Sequence, residues 1–244
     1  MKNFQFFKIT VMLLVVVLFS TCKKENLCDC IKRTGSIITE TRAISGFDSV
    51  FADDNLNVFI TQDPAFEVKV EAGKNIVPLI STEVVNGKLI ITNNNRCNWT
   101  RSYDKPLNVY IKMPVISYIT SNGTGNIKSL NTITSNFTVR TKNSGNVELT
   151  INNTSTTSWM HGAGDVTLHG TTHSHYIDIG GTAFLNCKDL QTDYTLIHTF
   201  TTGECNVSTS YLSCQIDYIG DVYCYGTHAT VEKTINGTGR LYLQ

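Results

Sequence analysis

A short phrase built on glycine is written seven times between Ser121 and Leu243, and no other feature restricts the fold as strongly. The phrases are Gly125-Asn-Ile, Gly145-Asn-Val, Gly164-Asp-Val, Gly181-Thr-Ala, Gly203-Glu-Cys, Gly220-Asp-Val and Gly239-Arg-Leu. Their glycines stand 20, 19, 17, 22, 17 and 19 residues apart. A period near 19 is too short for paired helices. It suits one turn of a solenoid whose coils bury their apolar faces only by stacking. The expected fold class is therefore all-β, a right-handed parallel β-helix-like solenoid with a repeat of about 19 residues.

Strands send alternate side chains to the same face, so aligning the phrases on glycine sorts the positions around it. Two residues on stand Ile127, Val147, Val166, Ala183, Cys205, Val222 and Leu241. Four residues on stand Ser129, Leu149, Leu168, Leu185, Val207, Cys224 and Leu243. Both columns should face inward. Between them Asn126, Asn146, Asp165, Thr182, Glu204, Asp221 and Arg240 should face solvent. Six residues before glycine, the column Ile119, Val139, Ser158, His175, Ile197, Cys214 and Lys233 is only partly apolar, a weaker second strand. The glycine itself suits a corner that needs positive φ or close approach of the next coil.

From Ile44 to Pro114 the chain alternates in strand fashion, as in Leu56, Val58, Ile60 and in Phe66, Val68, Val70. Turn signals at Asp63-Pro64, Asn86-Gly87 and Asn93-Asn94-Asn95 separate the runs, and only Asn75 to Ser81 suggests a short helix. No composition break divides this half from the repeats, so residues 41–244 read as one β-solenoid domain.

The segment Gly46-Phe-Asp-Ser-Val50, the strand Leu56-Asn-Val-Phe-Ile60, the turn in Val85-Asn-Gly-Lys-Leu89, and Leu107-Asn-Val-Tyr-Ile-Lys-Met-Pro114 leading into Ser121-Asn-Gly-Thr-Gly-Asn-Ile127 form an ordered set. Together they resemble the putative auto-transporter adhesin, head GIN domain family over roughly residues 41–244. The resemblance implies a β-helix-like solenoid on a secreted or lipid-anchored protein with an adhesive role. It brings no catalytic motif, and no active-site residue can be carried over.

Residues 1–21 place Lys2 and Lys8 before an apolar run from Ile9 to Phe19, the layout of a secretory signal and too short to span a bilayer permanently. The run ends at Ser20-Thr21-Cys22 and resembles a bacterial lipoprotein signal with Cys22 as the acylated residue. An ordinary cleaved signal, leaving Cys22 a plain thiol, is the other reading. Lipoproteins kept at the inner membrane usually carry aspartate at the next position; here it is Lys23, which implies the outer membrane and a membrane partner held through lipid. Residues 22–40 read as a polar tether.

With 20 basic and 20 acidic residues and no basic stripe, the chain gives no sign of nucleic-acid binding. Of eight cysteines, Cys205 and Cys224 fall in inward columns and read as small hydrophobes; Cys28 and Cys30 are too close to bridge to one another, which leaves either with Cys97 as the form a disulfide would take. His161, His169, His173 and His175 cluster in sequence, but the repeat register separates them, so no metal is expected there. Glu204 and Asp221 would be stacked like charges on neighbouring coils, either splayed and solvated or sharing calcium. No cofactor is expected.

A non-catalytic binding, adhesive or structural surface at the cell envelope is the leading functional expectation, its partner a glycan or surface protein. The alternative is a polysaccharide lyase or hydrolase on the same scaffold, for which the outward acids Glu204 with Asp221, or Asp178 with Asp217, are the pairs available. The terminal coil from Gly239 to Gln244 presents an edge, and a weak end-to-end homodimer through it is expected.

Overall fold

The computed structural model describes residues 33–95, 105–227 and 230–244. The first half holds β1 (Ile37–Arg42), β2 (Ser49–Ala52), β3 (Asn57–Gln62), β4 (Glu67–Gly73), β5 (Ile80–Val85), β6 (Lys88–Asn93) and β7 (Asn108–Met113). The coils follow as β8 (Tyr118–Ser121), β9 (Ile127–Ser129), β10 (Phe137–Thr141), β11 (Val147–Met160), β12 (Val166–Gly181) and β13 (Leu185–Thr201). The last are β14 (Cys205–Ile216), β15 (Val222–Tyr225), β16 (Thr230–Ile235) and β17 (Leu241–Leu243). The expected helix at residues 75–81 is a single 3₁₀ turn, Val77–Leu79. No helix among the described residues is long and apolar enough to cross a membrane.

This is the all-β solenoid the glycine period implies. Parallel ladders run β9 to β11 to β12 to β13 to β14 to β15 to β17 through the strands that follow the glycine. A second set joins β8, β10, β11, β12, β13, β14 and β16. Within β11 the inward side chains are Val147, Leu149 and Ile151, then Thr156, Ser158 and Met160. The change of phase across Asn153-Thr154-Ser155 marks the corner at which one strand run passes to the next face of the coil.

Antiparallel pairing closes the N-terminal end. β4 lies between β1 and β7, and β5 folds back on β6 around Asn86 (φ 51°) and Gly87 (φ 75°), the two positive-φ residues of a tight two-residue hairpin. Arg42 fastens β1 to this hairpin, donating to the Ile80 and Val77 carbonyls at 2.7 and 3.0 Å and to Thr82 Oγ1 at 2.8 Å. The tether boundary drawn at residue 40 therefore falls inside a strand: β1 begins at Ile37, and the β4 edge it covers is what recruits it. Residues 1–21, Cys22 and the tether as far as residue 32 lie outside the described residues.

Ladder pairing corrects the register of one repeat. Val166 pairs with Leu185, and Leu185 with Cys205, so the fourth coil takes Ala183, not Gly181, at the glycine position. Its outward residue is then Phe184 in place of Thr182, Cys187 takes the second inward column, and Ile177 replaces His175 in the column upstream. With that shift the upstream column is buried from Ile119 to Cys214.

The recurring glycines are there for space. A Cβ on Gly164 would stand 2.2 Å from the Gly145 carbonyl oxygen, and one on Gly203 would stand 2.0 Å from that of Ala183. Gly181, outside this column, is the one with a positive φ, 80°. We expect Gly203→Ala to lose roughly 1–3 kcal/mol by overpacking, read as a lowered urea midpoint, and Ala183→Gly to lose only about 0.5–1 kcal/mol. Equal losses would contradict the register.

The Asn and Asp residues after the glycines have a structural task. Asn57 Oδ1 accepts the Asn126 amide at 3.1 Å, Asn126 Oδ1 the Asn146 amide at 3.1 Å, and Asn146 Oδ1 the Asp165 amide at 2.9 Å. Asp165 Oδ1 continues to Phe184, and Asp221 Oδ1 takes the Arg240 amide at 2.8 Å. These side chains satisfy backbone donors at a corner, as turn-forming Asn and Asp do.

Candidate functional site

Strands β10 to β14 and β16 expose one face of the second ladder set. Because residues 158, 177, 197 and 214 point inward, Trp159, Asp178, His198 and Gln215 point out, and the ladder places them side by side in that order. His161 and Asp217 stand two residues further along the chain than Trp159 and Gln215, just past the ends of β11 and β14.

These groups form one chain of polar contacts. Asp178 receives His161 Nε2 on Oδ1 at 2.8 Å and His198 Nδ1 on Oδ2 at 3.1 Å, and its side chain is only 11% exposed. His198 Nε2 reaches Asp217 Oδ2 at 2.7 Å. Asp217 also accepts Gln215 Nε2 at 2.8 Å and Asn236 Nδ2 at 2.7 Å. A protonated His198 ring can donate from both nitrogens, one to each of the two carboxyl groups. Burial opposes that charge, but the hydrogen bonds to Asp217 and Asp178 outweigh it and raise the His198 pKa. His198, then Asn236 and Gln215, hold the Asp217 carboxyl below the usual carboxylate range.

Rings surround this relay. Trp159 lies 5.7 Å from Tyr176 and 6.2 Å from His161, while Phe200 sits 5.4 Å from His161 and 5.3 Å from His198, all between ring centroids. Phe200 can lie flat here because its strand neighbour is Gly180, where a Cβ would meet the ring at 2.0 Å. Trp159, Tyr176 and Phe200 remain 37, 39 and 36% exposed. A rigid sheet thus presents aromatic faces around fixed polar groups, the composition that makes good contact surfaces.

The other sequence candidates are dispersed. Glu204 and Asp221 immediately precede the neighbouring strands β14 and β15, one residue before the paired Cys205 and Val222, but one Asp221 oxygen is engaged by the Arg240 amide. Among the described residues no group of three or more His, Cys, Asp or Glu side chains could hold a metal ion. The four histidines clustered in sequence do not converge: His161 meets Asp178 at 2.8 Å, His169 faces Asp189 at 3.7 Å, His173 faces Asp193 at 2.7 Å, and His175 is inside the coil. Asp178 and Asp217 are not an adjacent pair, since His198 stands between them. Cys187, Cys205, Cys214 and Cys224 are all buried, and burial raises all four thiols, Cys205 and Cys214 to about 12 and Cys224 to about 11. Cys22, Cys28, Cys30 and Cys97 lie outside the described residues.

Comparison with known proteins agrees with this fold. A family model, putative auto-transporter adhesin, head GIN domain, matches residues 46–241. A solved putative adhesin from Bacteroides fragilis superposes with a TM-score of 0.79 at 18% identity, covering 87% of this chain and 100% of that one. A putative adhesin and a putative lipid binding protein, both from Parabacteroides distasonis, give TM-scores of 0.67 and 0.66 at 14 and 18% identity, each over 87% of this chain and 100% of the other. At such identities the likeness is one of fold. No curated protein matches the chain.

Proposed function

The chain belongs to the putative auto-transporter adhesin, head GIN domain family, and from that premise we propose that it is a non-catalytic adhesive surface at the cell envelope, binding glycan through the Trp159–Phe200 face. The observation that carries the reading is the exposure of three rings around a fully engaged His–Asp relay. Aromatic faces stack on the apolar faces of sugar rings, and the rim of imidazole and carboxylate groups can meet hydroxyls.

The same relay argues against glycoside hydrolysis. That reaction needs a carboxyl group kept protonated near neutral pH. The Asp217 carboxyl is shifted the opposite way and is tied up by three side chains. A glycan array probed with the full chain in detergent, paired with turnover assays on whatever is retained, tests the reading. Retention without product is the expected result; product formation that disappears in Asp178→Asn or Asp217→Asn would overturn it.

Display at the outer membrane through lipid on Cys22 completes the proposal, supported by the apolar run that ends there. Cys22→Ser should move the protein from the membrane fraction to the soluble one. A variant that still sediments with membranes after a salt wash would place the anchor elsewhere.

A further inference from the structure

On the same sheet face, next to the rings, lies a pocket of about 230 Å³ lined by Ser49, Phe51, Lys88, Tyr118, Arg140 and Lys142, with Thr120 at its floor. The ladder order β6, β2, β8, β10 sets Lys88 across β2 and β8 from Arg140 and Lys142, so that the three side chains line the pocket from opposite sides. It also sets Arg140 directly beside Trp159. Pocket and ring surface are therefore continuous.

Charge in this pocket is unbalanced. No carboxylate lines it. Among the described residues the nearest acid along the chain is Asp48, whose oxygens take the Ser49 and Ser117 hydroxyls at 2.7 and 3.0 Å. Lys88, Arg140 and Lys142 make no ion pair or side-chain hydrogen bond with any described residue, whereas Lys128, Lys69, Lys112 and Arg42 each have a carboxylate partner. Three unneutralised cations around one pocket make its potential positive, and an anion placed between them is attracted to all three. The chain as a whole is neutral, so the excess is local.

Resting on the glycan-binding reading above, we propose that the ligand is an acidic polysaccharide and that the Lys88–Arg140–Lys142 pocket receives its anionic substituent while the neighbouring sugar ring stacks on Trp159. The Arg140 guanidinium offers a planar fork matched to a carboxylate or sulfate, and the two lysines add point charges. The Tyr118 hydroxyl supplies a further donor. A space of this volume is smaller than a self-sufficient small-molecule site and suits one substituted sugar within a longer polymer.

The test uses three polymers with one backbone, dextran, carboxymethyl dextran and dextran sulfate, against the full chain. Carboxymethyl dextran or dextran sulfate should bind at least tenfold more tightly than dextran, and the preferred one names the substituent. Arg140→Gln with Lys142→Gln should remove that preference, while Lys128→Gln with Lys233→Gln, an equal loss of charge outside the pocket, should not. Equal binding of all three polymers would overturn this inference and leave the glycan reading standing. Acidic binding that falls equally in both pairs of variants would assign it to net charge and overturn the pocket. Failure to retain any glycan would sink both readings.

Discussion

Val166→Asp is expected to destabilise the protein by roughly 3–5 kcal/mol, because it leaves a carboxylate in the coil interior with no partner. Val166 is fully buried, between Val147 and Leu185 on the neighbouring coils. A buried carboxyl escapes part of this cost only by taking up a proton, so the loss should shrink as pH falls. The neighbouring change Thr167→Asp points outward. It sits beside Glu148 and Asn186, and like-charge repulsion from Glu148 should cost at most about 1 kcal/mol. Urea denaturation of the two variants at neutral pH checks this. Similar midpoints would mean that the inward and outward columns are misassigned.

Acid should open the coil through His175. Its ring is fully buried between Thr156 and Thr195 in the ladder, with Nε2 2.8 Å from Ser158 Oγ and Nδ1 without a partner. Burial lowers its pKa from 6.5 to about 3. The neutral ring is therefore the folded form, so this contribution to stability is complete above pH 6.5 and is lost as pH falls from there to about 3. At 1.36 kcal/mol for each unit, the loss reaches about 5 kcal/mol. His175→Gln can keep a bond to Ser158 and cannot titrate, so its stability should fall less steeply over that range, by up to about 1.4 kcal/mol per pH unit. Parallel pH profiles for the two proteins would show that His175 is hydrated or able to swing outward.

Much of the scaffold was legible because a parallel stack assigns equivalent residues the same task. The inward columns from Ile127 to Val222 and from Leu149 to Cys224 are readable from spacing alone, and both are buried. The error at the fourth repeat has a physical origin. Glycine is the visible anchor in the sequence, whereas the position demands a small residue under a carbonyl oxygen; Ala183 fills it, while Gly181 is glycine because its φ is 80°. Two residues of shift hid Ile177 behind His175 and placed Thr182 where Phe184 stands.

The binding face was less legible for a related reason. Asp178 and Asp217 were visible as outward acids, but the imidazole that separates them, His198, comes from the coil between and shows only when the ladder is in register. The basic pocket leaves no local trace at all. Lys88 belongs to a hairpin far upstream of Arg140, and only the pairing of β6 with β2, β2 with β8 and β8 with β10 places both around one pocket. Counting charges along the sequence averages that concentration away.

The claim that the Trp159–Phe200 face is the adhesive surface is tested most directly by the dissociation constant of the full chain for a retained glycan. It is to be measured for the wild type, for Trp159→Ala with Phe200→Ala, and for Tyr223→Ala with Tyr242→Ala. The last pair removes stacked rings, 4.9 Å apart, on the other ladder set. Central aromatic contacts typically cost more than 1 kcal/mol each when truncated, so the first double variant should weaken binding by roughly tenfold or more. The second should leave it within about twofold of the wild type, as near-neutral surface truncations do. Unchanged affinity in the first variant, or a loss confined to the second, would contradict the assignment of the face.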